Sequence, residues 1–482
     1  MEENTEGTHS SSSRSPTGRR PSSLSAIWLV ISLLCIINLT SGITNIPVNR
    51  LLEQRLCKQY YDSDHDVDEE RCKVDEIQQQ MAWIMGALET LWTMGDFLVA
   101  IPLSFVAERY GRRVVLGLNL VPRFFMLLWI LTTGYLTTNL PPQAAIAAAS
   151  LSFLGGDAVF NSLIYSLAAA APQDDVTRTV YFSWMTALTS VIGFLSPALA
   201  ASTMTVQISL PFWLGLLLLL LAIPIISLVP PVDTRAEDQN PDQRPLISSP
   251  ILKAQASSKT IGASVLDRVR LLVSFFNHID LALLLVSMFL TSVASADTKL
   301  LAQYISKRYR WTFASAGYLL SAKAAVNFVL LSILVPLFLA TRQQTPPSLS
   351  DRANTKCARF CLLASIVGAF AIGVAATTWE LVPSLLIYAM GVPLSIFTLS
   401  LANSPKFSAY QHNQGVTGNP QAHVFSIVMM VKTLGSLVGA PFMAACWFYG
   451  IKVGFYGSPY IASSVMYLAA FGVFWRIGMA HQ

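Results

Sequence analysis

Twelve apolar segments, each long enough to cross a bilayer, leave this chain few folds to choose from. They run at about 25–44, 79–104, 114–135, 142–170, 179–201, 208–230, 275–298, 312–340, 357–376, 381–402, 421–445 and 456–478. A hydrocarbon core of ~30 Å takes ~20 apolar residues in helical form. Composition agrees: 53% of the residues are hydrophobic and 12% charged, against about 25% charged in a soluble domain. The expected fold class is an all-α membrane protein.

Orientation follows from Lys and Arg, which accumulate on the cytoplasmic side. With the N-terminus inside, inward loops and termini hold 19 of the 32, outward loops hold 10, and Arg123, Lys323 and Lys432 fall inside spans. Both ends are therefore expected in the cytoplasm. Residues 1–24 are Ser-, Thr- and Arg-rich and read as a disordered cytoplasmic tail. They are not a signal peptide, because the apolar run behind them is full length and lacks a small-residue cleavage pattern. A second polar stretch, 231–274, divides the spans six and six. The expected domains are an N-terminal six-helix bundle at 25–230, a cytoplasmic linker at 231–274 and a C-terminal six-helix bundle at 275–482. Within the linker, residues 262–276 place Val265, Val269 and Leu272 on one face and could lie along the inner membrane surface.

Between the second and third spans runs Ser104-Phe-Val-Ala-Glu108-Arg109-Tyr-Gly111-Arg112-Arg113. It resembles the cytoplasmic loop between helices 2 and 3 of the major facilitator superfamily, Gly-x-x-x-Asp-Arg-x-Gly-Arg-Arg/Lys, with Ser104 in place of glycine and Glu108 in place of aspartate. The resemblance implies twelve helices in two bundles, a central cavity lined by spans 1, 4, 7 and 10, and transport by alternating access. It also implies gating by Glu108, Arg109, Gly111, Arg112 and Arg113, together with Arg178. Gly155-Gly156 followed by Asp174-Asp175-x-x-Arg178 resembles, more loosely, a branch holding fungal transporters and proton-coupled folate transporters; the arginine often found on its fourth span is missing here.

An ionisable side chain at mid-bilayer costs roughly 2.5–3.5 kcal/mol on insertion scales, so it faces a cavity or a partner. Glu89 and Asp96 are seven apart and share a helix face with Gly86 and Thr93. Asp157 follows Gly155-Gly156. Each of these three acids could be a proton carrier on a wet pathway; otherwise Glu89 and Asp96 are halves of a structural pair with Lys432 or Arg178, and Asp157 is a buried acid bonded to neighbouring hydroxyls. Asn38, Ser41 and Asn45 make a polar stripe on span 1 that either meets cargo or bonds to another helix. Lys323 and Lys432 are lone mid-span lysines, expected to contact substrate or to pair with an acid. Arg123, two to three turns into span 3, is expected to snorkel to the inner surface. Gly435 and Gly439 are spaced for close helix approach.

Cys57 and Cys72 flank the first outward loop and either form a disulfide, worth about 3 kcal/mol in the entropic model, or stay reduced. The acidic run between them has Val67 and Lys73 where a calcium loop needs glycine and glutamate, which favours a solvated loop over a metal site. No phosphate loop, nucleophile elbow or zinc helix occurs, and the histidines avoid mid-span, so no cofactor, no metal and no enzyme chemistry is expected.

The expected function is proton-coupled secondary transport of a small organic molecule, with efflux of a secondary metabolite favoured. The alternatives are uptake of an organic-anion nutrient such as a folate, for which the outward cluster Lys307-Arg308-Tyr309-Arg310 would suit, or a transporter-like receptor. Its partners would be substrate, protons and the bilayer, not nucleic acid, and it would work as a monomer. The plasma membrane is expected; Asp242-x-x-x-Leu246-Ile247 resembles a sorting signal for the vacuole or endosome.

Overall fold

The computed structural model describes residues 23–63, 65–136, 140–170, 175–228, 279–334, 337, 347–402 and 420–479. The N-terminal tail, the central linker with its 262–276 segment and sorting-like motif, and Asp174 lie outside the described residues. Among the described residues the structure is helical. Span 1 is α1 (Ser23–Tyr60), span 2 is α2 (Asp75–Tyr110) and span 3 is α3 (Arg112–Leu131). Span 4 is a 3-10 helix (Pro142–Leu154) continued by α4 (Asp157–Ala170), and α5 (Asp175–Val206) and α6 (Leu210–Leu228) complete the first half. In the second half, span 7 joins α7 (Ile279–Ser295), a 3-10 turn (Ala296–Leu300) and α8 (Leu301–Tyr309). There follow α9 (Phe313–Val329), α10 (Pro347–Val374), α11 (Thr378–Ala389) with α12 (Leu394–Ala402) as span 10, α13 (Pro420–Val453) and α14 (Ser458–Met479). Eleven of the described helical runs are long and apolar enough to cross a membrane, and α2 takes the place of the second span.

Two elements outrun the apolar segments that announced them. α1 has 38 residues, about 57 Å at 1.5 Å per residue, so it continues well past the bilayer. Span 7 does not end at 298 with an outward loop; 299–309 continues as helix. Hydropathy locates where lipid contact stops, whereas a helix goes on wherever its charged residues find partners. Arg50 and Glu53 on α1 do so, as does Lys299 on span 7.

Each half has its own apolar core. One joins α1, α3, α4 and α6 through residues such as Leu34, Leu127, Phe160 and Phe212. The other joins α7, α10, α11 and α14 through Leu285, Leu362, Tyr388 and Tyr460. Outward-facing leucines on α6, among them Leu217, Leu220 and Leu221, stay about half exposed, as expected of a surface solvated by lipid chains rather than water. The halves meet where α2 packs on α13 and α5 packs on α9. Small residues permit this: Gly86 sits against Ala444, and Gly317 against Ala201 and the Pro197 carbonyl. Gly435 and Gly439 do bring helices together, setting α13 directly on the backbone of span 7 at Phe289 and Val293.

Candidate transport pathway

Span 4 breaks at Gly155-Gly156, and a broken helix inside a membrane exposes backbone groups that lipid cannot satisfy. Spans 2 and 3 supply the partners. Asp96 accepts hydrogen bonds from the Ala158 N–H at 2.9 and 3.2 Å, capping the start of α4. Asn119 donates to the Gly156 carbonyl at 2.9 Å. A Cβ at Gly156 would meet Asp96 Oδ1 at 2.0 Å, so only glycine lets this carboxylate in.

The break aims Asp157 between the spans. Its Oδ1 accepts from Arg123 Nη2 at 2.5 Å and its Oδ2 from Trp92 Nε1 at 3.3 Å. Arg123 is held by Asn119 through Nε at 2.8 Å and lies over the Phe160 ring at 5.3 Å. The expected snorkelling of Arg123 is thus corrected: its side chain is 6% exposed and turned inward to an anion. The physical reason is a carboxylate within hydrogen-bond reach at the same depth, which a planar guanidinium matches better than a distant headgroup does. Asp157 itself is 47% exposed despite its depth, and Lys299 of the other half lies within its electrostatic reach. Its open side therefore faces the space between the halves.

Glu89 crosses that space. It pairs with Lys299 Nζ at 3.0 Å, with 33% and 58% of the two side chains exposed. Of the two partners expected, Lys432 does not pair with it, and the Arg178 side chain lies outside the described residues. Lys323 stands over the Tyr388 ring at 5.2 Å, and Lys432 is half-buried on α13 with no ion pair among the described residues. Asn38 donates to its own helix, at Leu34 O, while Ser41 and Asn45 are exposed. The acid–base cluster thus gathers Glu89, Asp157, Lys299, Arg123 and Trp92 at the middle of the bundle. Lys299 and Trp92 were missed in the sequence. The apolar residues Leu300, Leu301 and Ile305 just beyond Lys299 were the signal that its helix goes on.

Of the loop between spans 2 and 3, Gly111 has φ +95° and ψ 145° and turns the chain sharply from α2 into α3. Arg112 is half-buried and Arg113 exposed; the side chains of Glu108, Arg109 and Arg178 lie outside the described residues.

At the end of the bundle that the charge bias assigns to the outside, the halves are tied by a dense network. Cys57 and Cys72 form a disulfide with Cα atoms 5.3 Å apart, which pins the 61–74 loop against α1. Lys73 from this loop reaches Glu53 Oε1 at 2.7 Å, Glu69 at 3.2 Å and Ser306 Oγ of the second half at 2.5 Å. Arg50 adds bonds to Glu53 and Glu69 at 3.1 and 3.2 Å. Glu69 also accepts from the first N–H of α9, Phe313, at 2.8 Å. Lys307 bonds Asp75 at 2.5 Å and the Lys73 carbonyl. Three cations (Arg50, Lys73, Lys307) thus balance three anions (Glu53, Glu69, Asp75), and Gln303 bonds Asn49 at 2.8 Å beside them. A third apolar cluster lies here, and it mixes halves: Ile46, Leu52, Ile77 and Met81 pack with Ala302 and Phe313.

Two helical bundles around a space lined by paired charges, in contact through small residues, define a secondary transporter. The family model described as Major Facilitator Superfamily matches residues 77–440. The chain belongs to the Major Facilitator Superfamily: it is a multi-pass membrane transporter and not an enzyme. It is 25% identical over 478 residues to "MFS efflux pump atnC" of Emericella nidulans, covering 96% of this chain and 90% of that one. It is 24% identical over 451 residues to "Efflux pump ustT" of Aspergillus flavus, covering 89% and 83%. In fold it is similar to the nucleoside transporter NupG (TM-score 0.60, 13% identity, 95% of this chain and 98% of that one) and to a D-xylose-proton symporter (TM-score 0.59, 12% identity, 92% and 97%).

Proposed function

We propose that this transporter exports a small organic metabolite from the cytoplasm across the plasma membrane, in exchange for protons, and that the structure is its inward-facing form. The observation that carries the reading is the pair of mid-depth acid–base contacts, Asp157–Arg123 and Glu89–Lys299, whose acids remain partly exposed. Each acid has a basic partner that it keeps when ionised and releases when protonated, so proton occupancy changes contacts between spans. The Glu89–Lys299 contact joins the two halves, which gives protonation leverage on their separation. Asp96 serves this site indirectly, by holding the broken span 4 in place. Efflux is supported by the names of the two fungal relatives. The inward-facing assignment is supported by the mixed apolar cluster and charge network at the outer end. On this reading Glu108, Arg109, Gly111, Arg112, Arg113 and Arg178 close the opposite end when the outer one opens.

The test is transport in sealed inside-out vesicles loaded by an imposed proton gradient, screened against extracts and purified metabolites of the source organism. Accumulation that collapses when the gradient is dissipated, and that fails in Asp157→Asn and Glu89→Gln, supports the reading. Flux that survives both substitutions unchanged, or that runs only in the uptake direction, overturns it.

A further inference from the structure

The 3-10 turn that interrupts span 7 carries two charged residues that point into different halves. Lys299 reaches Glu89 of the first half. Asp297, two residues earlier, turns back into the second half and is fully buried. Its Oδ1 accepts from Tyr388 Oη at 2.8 Å, and Tyr388 Oη lies 3.3 Å from Tyr467 Oη. Its Oδ2 makes no hydrogen bond, although the Ser463 hydroxyl and the Thr298 N–H lie near the carboxyl.

The groups facing this carboxyl come from every neighbouring element. Span 8 supplies Lys323, whose Nζ stands over the Tyr388 ring rather than on the acid. Span 12 supplies Tyr460, which donates to the Asp297 backbone carbonyl at 3.4 Å, and Ser463, which donates to Ala294 O at 3.1 Å. Span 11 brings Gly439 against the turn, at Ala296. Span 7 itself adds Tyr304, which bonds the Ile372 carbonyl instead.

A sealed carboxylate with one oxygen unsatisfied and its cation held off by an aromatic ring is a costly anion. As the acid, it has no charge to solvate and keeps its bond from Tyr388. Ser463 Oγ, having spent its proton on Ala294, has lone pairs left to accept an O–H from Oδ2. This environment therefore suits the protonated form, and a hydrogen-bonded chain runs from Oδ1 through Tyr388 to Tyr467.

We propose that Asp297 is a second proton-binding site, set in the C-terminal half and separate from the Asp157 and Glu89 cluster. The step is simple: the carboxylate takes a proton from a hydronium ion of the central cavity, giving a carboxylic acid and water, and no other bond changes. Because Asp297 and Lys299 share one turn, this step adjoins the bridge between the halves. Its role in transport rests on the proton-exchange reading; proton binding itself does not.

Infrared difference spectroscopy of the full chain in lipid nanodiscs, titrated with pH and without substrate, tests it. A protonated-carboxyl carbonyl stretch is expected that is lost in Asp297→Asn and kept in Glu89→Gln, Asp96→Asn and Asp157→Asn, which separate it from the bands of those acids. Tyr388→Phe should move the frequency of that band, and Lys323→Gln should make it persist to higher pH, since a nearby positive charge is gone. Where Asp297→Asn does not fold, Asp297→Glu reports through a shifted band instead. Spectra that Tyr388→Phe and Lys323→Gln leave unmoved overturn the proposal, as does a wild-type band retained in Asp297→Asn. Vesicle efflux insensitive to the proton gradient would instead sink the exchange reading while leaving this site standing.

Discussion

Gly111 is bound by a conformation few residues can adopt. With φ +95° and ψ 145° it lies in a region nearly closed to side chains with a Cβ, although a Cβ there would touch nothing within 4 Å. The demand is thus on the backbone alone. Gly111→Ala is expected to destabilise by about 1–3 kcal/mol, read as a lower midpoint of thermal unfolding in detergent. At Asp157 the asymmetry of exposure makes a sharper prediction. Asp157→Leu strands Arg123, which is almost fully buried, and should cost about 3–5 kcal/mol. Arg123→Leu leaves an acid that is 47% open to the space between the halves and can hydrate, so its cost should be clearly smaller. The double substitution should recover much of the loss from Asp157→Leu alone. Unfolding midpoints of the three variants check the order.

Among elements, two devices of different kind add to the charge network in holding the 61–74 loop. The Cys57–Cys72 disulfide closes a loop of sequence separation 15, and removing it by a double serine substitution should cost about 3 kcal/mol in the chain-entropy model. Reductant added to the wild type should lower the unfolding midpoint similarly. The second device is Asp66, which bonds Lys58 at 2.7 Å and accepts from Gln54 at 2.7 Å. The hydrogen bond from Lys58 holds its carboxyl below the ordinary value of 3.8. A folded-state value below the unfolded one means the contribution is present above that ordinary value and fades as pH falls through the lower, folded one. Wild type and Asp66→Asn should therefore differ in unfolding midpoint near neutrality and converge in strong acid. On the other side of the molecule, α13 lies so close to span 7 that a Cβ at Gly439 would sit 2.8 Å from the Val293 carbonyl oxygen. That neighbour is backbone and cannot swing away, so Gly439→Val should cost about 1–3 kcal/mol of overpacking.

At the scale of the whole molecule, the outer network is, on the proposed inward-facing reading, the contact that holds one side of the protein shut. Breaking it should shift the population towards the outward-open form. Glu69→Gln combined with Lys307→Met removes the ion pairs to Lys73, Arg50 and Asp75 and weakens the bond from the Phe313 N–H, without touching the mid-depth acids. A cysteine at Ala302, buried between the halves, should then react faster with a membrane-impermeant maleimide added outside, in a background where Cys35, Cys357, Cys361 and Cys446 are replaced. Unchanged labelling would show that this network does not hold the outer end shut.

Much of this protein was legible in its residues. Hydropathy is a local free energy, summed over some twenty neighbours in the chain, so the apolar runs marked the spans and the mid-span acids marked where water or a partner must enter. Gly435 with Gly439 likewise named positions where helices would approach, whereas the break of span 4 at Gly155-Gly156 emerged only in the fold. Partnership was another matter. Arg123 could satisfy its charge at the headgroups or on Asp157, and Glu89 on any of several cations; local sequence ranks none of these. Only the folded bundle brings Lys299 to Glu89 and Lys307 to Asp75, across more than two hundred residues of chain. Pairing energies depend on separation and burial, which the spans acquire only by packing together.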